Sequence, residues 1–394
     1  MTKQIRTVTV VGAGGAMGGT IAAMLANAGI TVHALDRVPA NDKDPMYGKM
    51  MAAGGDRNFV AREKIEKMKK IINPMDDILN AGFMHPSNAD RIILGNVEDD
   101  LEKAVKESDA VFEVIWDKPE AKAQLFEMVD RVMKPGTLVF SNTSTIPWAT
   151  MARGRSEEFQ KNFMIAHWFN PPRFMHLLET VSGPKTDPEV VKFATEFFDK
   201  TLGKHVEPCK DTPFFKGNRM GMYFVMRAAT AAMEQGIKID EVDALLGKPF
   251  GMGDAGVFGM VDMVGLGLVP DLARNAATML PKTDEFHNMN YPRVMRLIDG
   301  LIAQGFTGRA AGGGFFRPKR DEDGKSVKNK KGKTVLQAVD LTTGEYQDAG
   351  EHKPKAAAEG KKGPRAVLDF GDRYSNYAWT VVRDTILYAL NRVP

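Results

Sequence analysis

Cysteine is nearly missing from this sequence: among 394 residues there is one, Cys209. No internal disulfide can form, which fits a reducing compartment. An excess of charge of either sign is also missing. Lys+Arg 53 against Asp+Glu 50 leaves +3, a balance that argues neither for nor against an acidic partner. No apolar run reaches the roughly 20 residues of a membrane span. A first strand beginning near Thr7 leaves no room for a cleavable leader. These absences predict a cytoplasmic protein with no membrane and no nucleic acid among its partners, and no metal is expected. What remains is ordinary globular composition, 43% hydrophobic and 26% charged, in a chain long enough for two or three domains.

The first half alternates. TVTVVG (Thr7–Gly12) is a β-branched run of the kind that forms a buried parallel strand. A glycine cluster follows, then a helix ending near Gly29 and a second strand, TVHALD (Thr31–Asp36). The segment 41–88 is charged and reads as helical. RIILG from Arg91, AVFEVIW from Ala110 and TLVFSN from Thr137 are further strands, with a helix over 117–133 between the last two. Such alternation predicts a doubly wound, mostly parallel sheet. From Asp187 to Gln304 the patterns are nearly all helical. Methionines in NRMGMYFVMRAATAAMEQG read as helix-packing core. The lysine-rich stretch after Phe316 has no interleaved aromatics and reads as a solvated loop rather than a nucleic-acid patch.

VVGAGGAMGG follows a strand and opens a helix, the setting a dinucleotide loop requires. Glycines allow a tight turn and close approach to a pyrophosphate, whose charge the helix N-terminus meets. Gly12, Gly14 and Gly18 are spaced one residue longer than the usual fingerprint; Gly15, Ala16 and Met17 fill the interval. Asp36 ends the second strand, where a carboxylate can accept hydrogen bonds from the adenosine ribose and repel a 2′-phosphate. NAD is therefore expected over NADP, although neighbouring Arg37 is a group that can accommodate that phosphate.

In HWFNPPRFMHLLE, His167 and Glu179 lie symmetrically about Arg173. If the flanking segments are antiparallel strands joined by the proline loop, the two residues face one another. A carboxylate on one imidazole nitrogen fixes the tautomer and raises the basicity of the other, as a general base acting on an alcohol needs. A structural histidine satisfied by a backbone carbonyl fits the pattern as well. SNTST (Ser141–Thr145) leaves a strand end where open α/β sheets bind ligands, and DTPFFKGNR (Asp211–Arg219) opens the first long helix of the second region.

Together, in this order and spacing, the four motifs resemble the 3-hydroxyacyl-CoA dehydrogenase family, from about Thr7 to Phe316. The resemblance implies a Rossmann-type NAD-binding domain (1–205) and an all-α, 6-phosphogluconate-dehydrogenase-like domain (206–318) for substrate binding and dimerisation. It implies His167 as catalytic base, Glu179 as its orienting partner, and Ser144 and Asn218 as hydrogen-bonding residues for the substrate's reacting oxygens. Asp117 and Lys122 fall where the family contacts the nicotinamide half of the cofactor, and Asn142 is counted with the cofactor-binding residues. Besides the long glycine loop, two departures stand out. Phe214 occupies a usual glycine position, and Ala310 a usual lysine position.

The activity so implied is NAD-dependent oxidation of (S)-3-hydroxyacyl-CoA in fatty-acid β-oxidation, by a homodimer with an acyl-CoA substrate. Another hydroxyacid dehydrogenase of this architecture for a smaller non-CoA substrate, or a non-catalytic NAD-binding relative, stays open. At the end, 319–370 is expected to be a basic linker and 371–394 the start of a second helical repeat. A shift of 156 residues lays Val225-Met226-Arg227 over Val381-Val382-Arg383, as in two-copy relatives. The chain is thus expected to be part of a longer polypeptide or a shortened descendant of one. Trp379, Val382, Ile386 and Leu390 form the stripe expected to be buried.

Overall fold

The computed structural model describes residues 4–289, 291–350 and 353–392. They fall into two compact units that divide between Lys216 and Gly217. The first is built on one eight-stranded sheet: β1 (Thr7–Val11), β2 (Thr31–Asp36), β3 (Ile92–Asn96), β4 (Ala110–Glu113), β5 (Leu138–Ser141), β6 (Phe163–Trp168), β7 (Leu177–Ser182) and β8 (His205–Pro208). Their order is β3-β2-β1-β4-β5-β6-β7-β8. β1 to β6 are mutually parallel, β7 runs against β6, and β8 is parallel to β7.

Alternation along the strands gives each face its own core. Val8, Val10, Val32, Phe112 and Phe140 pack with the helix Ala16–Asn27 on one face. Val11, Leu35, Val111 and Val139 pack with the helices Val97–Glu107 and Pro119–Val132 on the other. Because β1, β2, β4, β5 and β6 are parallel, their carboxyl ends share one edge, and that edge carries the chemistry.

Several expectations needed correction here. Residues 41–88 are less helical than their charge pattern predicts, holding only the helices Tyr47–Ala52 and Phe59–Lys69 plus the start of a 3-10 turn. The stretch after Asp187 contains β8, which adds an edge strand and carries the first unit past position 205, to Lys216.

In the second unit the helix Gly217–Gln235 packs against Arg373–Leu390. Tyr223 and Tyr388 stack at 3.9 Å, the Tyr377 hydroxyl donates to the Ala228 carbonyl at 2.9 Å, and Arg227 meets Asp384 at 2.8 Å. Met222 and Met226 are buried, as the methionine pattern predicts. The expected stripe on the last helix is not the buried one. Tyr377, Ala378, Val381 and Tyr388 face inward, whereas Trp379, Ile386 and Leu390 are each about half exposed or more. The inward tyrosines are favoured because their hydroxyls find partners in the packed helix.

Residues 319–370 are not a bare loop. β9 (Phe316–Pro318), β10 (Leu336–Val339) and β11 (Tyr346–Asp348) form a small antiparallel sheet, and the short helices Lys355–Glu359 and Pro364–Leu368 follow, burying Val339, Leu341, Ala356 and Val367. The second unit is thus helical with one minor sheet. Among the described residues no single helix is long and apolar enough to cross a membrane.

Candidate active site

The glycine loop is built for a close approach. Gly12 has φ +98°, and a side-chain carbon there would stand 2.4 Å from the Val114 carbonyl oxygen. At Gly14 it would meet Val60 at 2.5 Å, and at Gly18 the Gly12 carbonyl oxygen at 2.0 Å. The longer spacing therefore still places three glycines where nothing larger fits, while Gly15 is the N-cap of the helix that starts at Ala16 and runs through Met17. That helix has no side-chain cap and no acidic residue in its first turn, so its terminal N–H groups are available to a pyrophosphate.

Asp36 accepts the Gly14 N–H at 2.8 Å and the Arg37 N–H at 2.8 Å. Burial pushes its carboxyl up from the usual range, against the pull of these two bonds. The Arg37 guanidinium is tied to Asp44 at 2.8 Å, which opposes its use as a phosphate partner. The residues present fit NAD, with Asp36 at the end of β2 beside the glycine loop.

The hairpin forms in the expected register, with His167 directly opposite Glu179. His167 Nδ1 lies 2.8 Å from Glu179 Oε2, and the Glu179 side chain is fully buried. Its other oxygen accepts the Lys216 N–H at 2.9 Å, with the Cys209 thiol at 3.6 Å. Burial and the nearby Glu179 push that thiol up to about 12, so Cys209 is no thiolate nucleophile. Phe169 and Phe215 ring the imidazole, with centroids 4.7 and 5.6 Å away. They dry the pair, which strengthens it.

The turn that brings Lys216 to Glu179 is strained. Phe214 and Phe215 have φ of 65° and 48°, the left-handed region that a side chain disfavours. Glycine at position 214 would adopt it freely; here a buried phenylalanine is held there instead.

Two cations secure the loop between the paired strands. Arg173 donates to the carbonyls of Phe83 at 2.7 Å and Ala81 at 3.2 Å. Lys204, buried over the Trp168 ring, donates to the carbonyls of Pro172 and Met175, and burial pushes its ammonium down to about 8. His176 is exposed, its Nδ1 3.4 Å from the Gly203 carbonyl.

Ser144 follows β5 on the same edge. Its N–H and hydroxyl donate to Asp117 at 3.0 and 3.2 Å. Asn142 accepts the Trp168 N–H at 2.9 Å, joining the ends of β5 and β6. Lys122 departs from direct cofactor contact: its side chain is 1% exposed and its ammonium faces Glu113 at 2.5 Å and Asp117 at 3.2 Å. A buried ammonium needs carboxylates, and here both are in place. Glu113 went unnoticed in the sequence. The signal was present as a lone carboxylate inside the apolar strand AVFEVIW, nine residues before the lysine. Asn218 lies in the first turn of the helix Gly217–Gln235, in the second unit.

A model of the 3-hydroxyacyl-CoA dehydrogenase NAD-binding domain matches residues 7–212, and one of the C-terminal domain of the same enzymes matches 215–318. The chain belongs to the 3-hydroxyacyl-CoA dehydrogenase family, whose members are NAD-dependent oxidoreductases. It is 38% identical over 319 residues to a Deinococcus radiodurans protein named "Probable 3-hydroxyacyl-CoA dehydrogenase", covering 81% of this chain and 84% of that one. A Rickettsia prowazekii protein, named as a fatty acid oxidation complex trifunctional enzyme, is 30% identical; the match covers all of this chain and 50% of that protein. The chain thus spans half the length of this second relative. The solved structure of Escherichia coli 3-hydroxybutyryl-CoA dehydrogenase shares the fold, with TM-score 0.60 and 24% identity over 79% of this chain and 59% of that one.

Proposed function

We propose that the chain oxidises (S)-3-hydroxyacyl-CoA to 3-ketoacyl-CoA, with His167 as general base. The observation that carries this reading is the buried 2.8 Å contact between His167 Nδ1 and Glu179. It leaves Nε2 to take the proton of the C3 hydroxyl, while the carboxylate stabilises the imidazolium that forms. NAD, held at the glycine loop, would supply the hydride acceptor for C3. Ser144, fixed by Asp117, holds the reacting oxygen, so binding supplies orientation as well as affinity. The name of the trifunctional relative supports a setting in fatty-acid β-oxidation. We further read the protein as a cytoplasmic homodimer, its single cysteine fitting the compartment and the exposed apolar residues of the last helix fitting a second copy.

The test is NADH oxidation followed with acetoacetyl-CoA and, separately, with acetoacetate. Turnover of the thioester and inhibition by free CoA are expected. Equal turnover of acetoacetate with no inhibition by CoA would favour the smaller-substrate alternative and remove CoA from the reading.

A further inference from the structure

We propose that Glu113 is a positioning residue for the reaction centre, setting Ser144 through Lys122 and Asp117. The inference rests on the reading of Ser144 as a partner of the substrate's reacting oxygen. Glu113 is the last residue of β4, and its side chain is fully buried. A carboxylate there is expensive to bury, and an apolar residue would serve the sheet as well.

Its donors come from three directions. The Ser141 hydroxyl donates to Oε2 from β5, and the Ile115 N–H donates to Oε1 at 2.8 Å. The Lys122 ammonium meets the same oxygen at 2.5 Å. That ammonium is shared with Asp117 at 3.2 Å, and it also reaches the Ile115 carbonyl at 3.4 Å. Asp117 in turn accepts both donors of Ser144.

A continuous chain thus runs from a buried carboxylate to a site hydroxyl, and every link is a charged or hydrogen-bonded contact. It also braces the turn 114–118. One end of that turn, at Val114, abuts Gly12 of the dinucleotide loop, and the other carries Asp117. The titratable groups facing the ammonium are Glu113 from β4 and Asp117 from the turn. With both charged, Lys122 is held between them and Asp117 is pulled toward the sheet edge. Without Glu113, one buried cation has one carboxylate, and the tether on Asp117 slackens.

The experiment compares Glu113→Gln, Lys122→Met, the double variant and Ser144→Ala with the parent, using kcat and KM for acetoacetyl-CoA and thermal melts for folding. Glu113→Gln keeps the shape and loses the charge. A loss of about tenfold in kcat is expected, the order of effect that a misplaced orienting group brings, with KM within about twofold because Ser144 is read as a partner of the reacting oxygen and not of the CoA moiety. Lys122→Met should show the same split, since it breaks the same chain. The double variant should lose no more than Lys122→Met, since both residues act through one chain. A purely structural Glu113 would lower the melting temperature without this selective loss of kcat.

Glu113→Gln with kcat within twofold of the parent, beside an impaired Ser144→Ala, overturns the inference. A silent Ser144→Ala sinks the underlying reading instead, and the inference with it. Should Glu113→Gln not fold, the double variant, which buries no lone charge, decides: full activity overturns the proposal, and the loss seen with Lys122→Met upholds it.

Discussion

Replacing His167 with alanine is expected to lower kcat by about 10²–10⁴, the worth of a positioned general base, while NAD binding changes little. The separation follows from the structure. His167 sits near the end of β6, and the dinucleotide loop follows β1, with β4 and β5 between them in the sheet. Glu179→Gln should cost less, because it keeps a hydrogen bond to Nδ1 and loses only the charge that stabilises the imidazolium. Steady-state kinetics with acetoacetyl-CoA and fluorescence titration with NADH measure both quantities. An alanine variant that keeps more than about a tenth of the parent kcat would take His167 out of the chemistry, since a general base is worth far more.

Gly12→Val is expected to abolish measurable NADH binding and to cost the fold about 2–6 kcal/mol. A β-branched residue at φ +98° is strained by about 1–3 kcal/mol, and overpacking adds about 1–3 kcal/mol. The added carbon would stand 2.4 Å from a backbone oxygen of the turn 114–118, which cannot rotate away as a side chain would. Denaturant melts and NADH titration check the two parts. A variant of parental stability that binds NADH with parental affinity would show that the loop tolerates a side chain and does not cradle the cofactor.

The hairpin was legible because its information is local. Two apolar segments, a proline-fixed turn and a symmetrical spacing about Arg173 set the register in which His167 meets Glu179. Asp36 was legible for the same reason, as the last residue of a strand at a fixed distance from a glycine loop. Glu113 was not, because its meaning depends on Lys122 from a helix and Ser141 from another strand, brought together only in the tertiary structure. β8 hid behind its brevity: HVEP is four residues long, charged and closed by proline, compatible with an edge strand alone. On the last helix the apolar stripe is not the buried one because Tyr377 and Tyr388 bury their rings instead, their hydroxyls satisfied by Ala228 and Arg219 inside the packed helices.

The clasp of Arg173 on the Ala81 and Phe83 carbonyls fixes an order of assembly. It fastens the apex of the hairpin to a segment about 90 residues earlier. Gly82, between those carbonyls, is itself held by Asn27 at the end of the first helix, its carbonyl accepting the amide at 2.9 Å. The Gly82 contact ties the receiving carbonyls to the first helix, and closing so long a loop before that contact forms is entropically costly. The hairpin apex therefore matures after the first strand–helix–strand crossover. In pulsed hydrogen exchange during refolding, the β1 and β2 amides should gain protection before the hairpin is latched, and enzymatic activity should return with the later phase. Simultaneous recovery of all three would mean that the clasp closes within the first collapse.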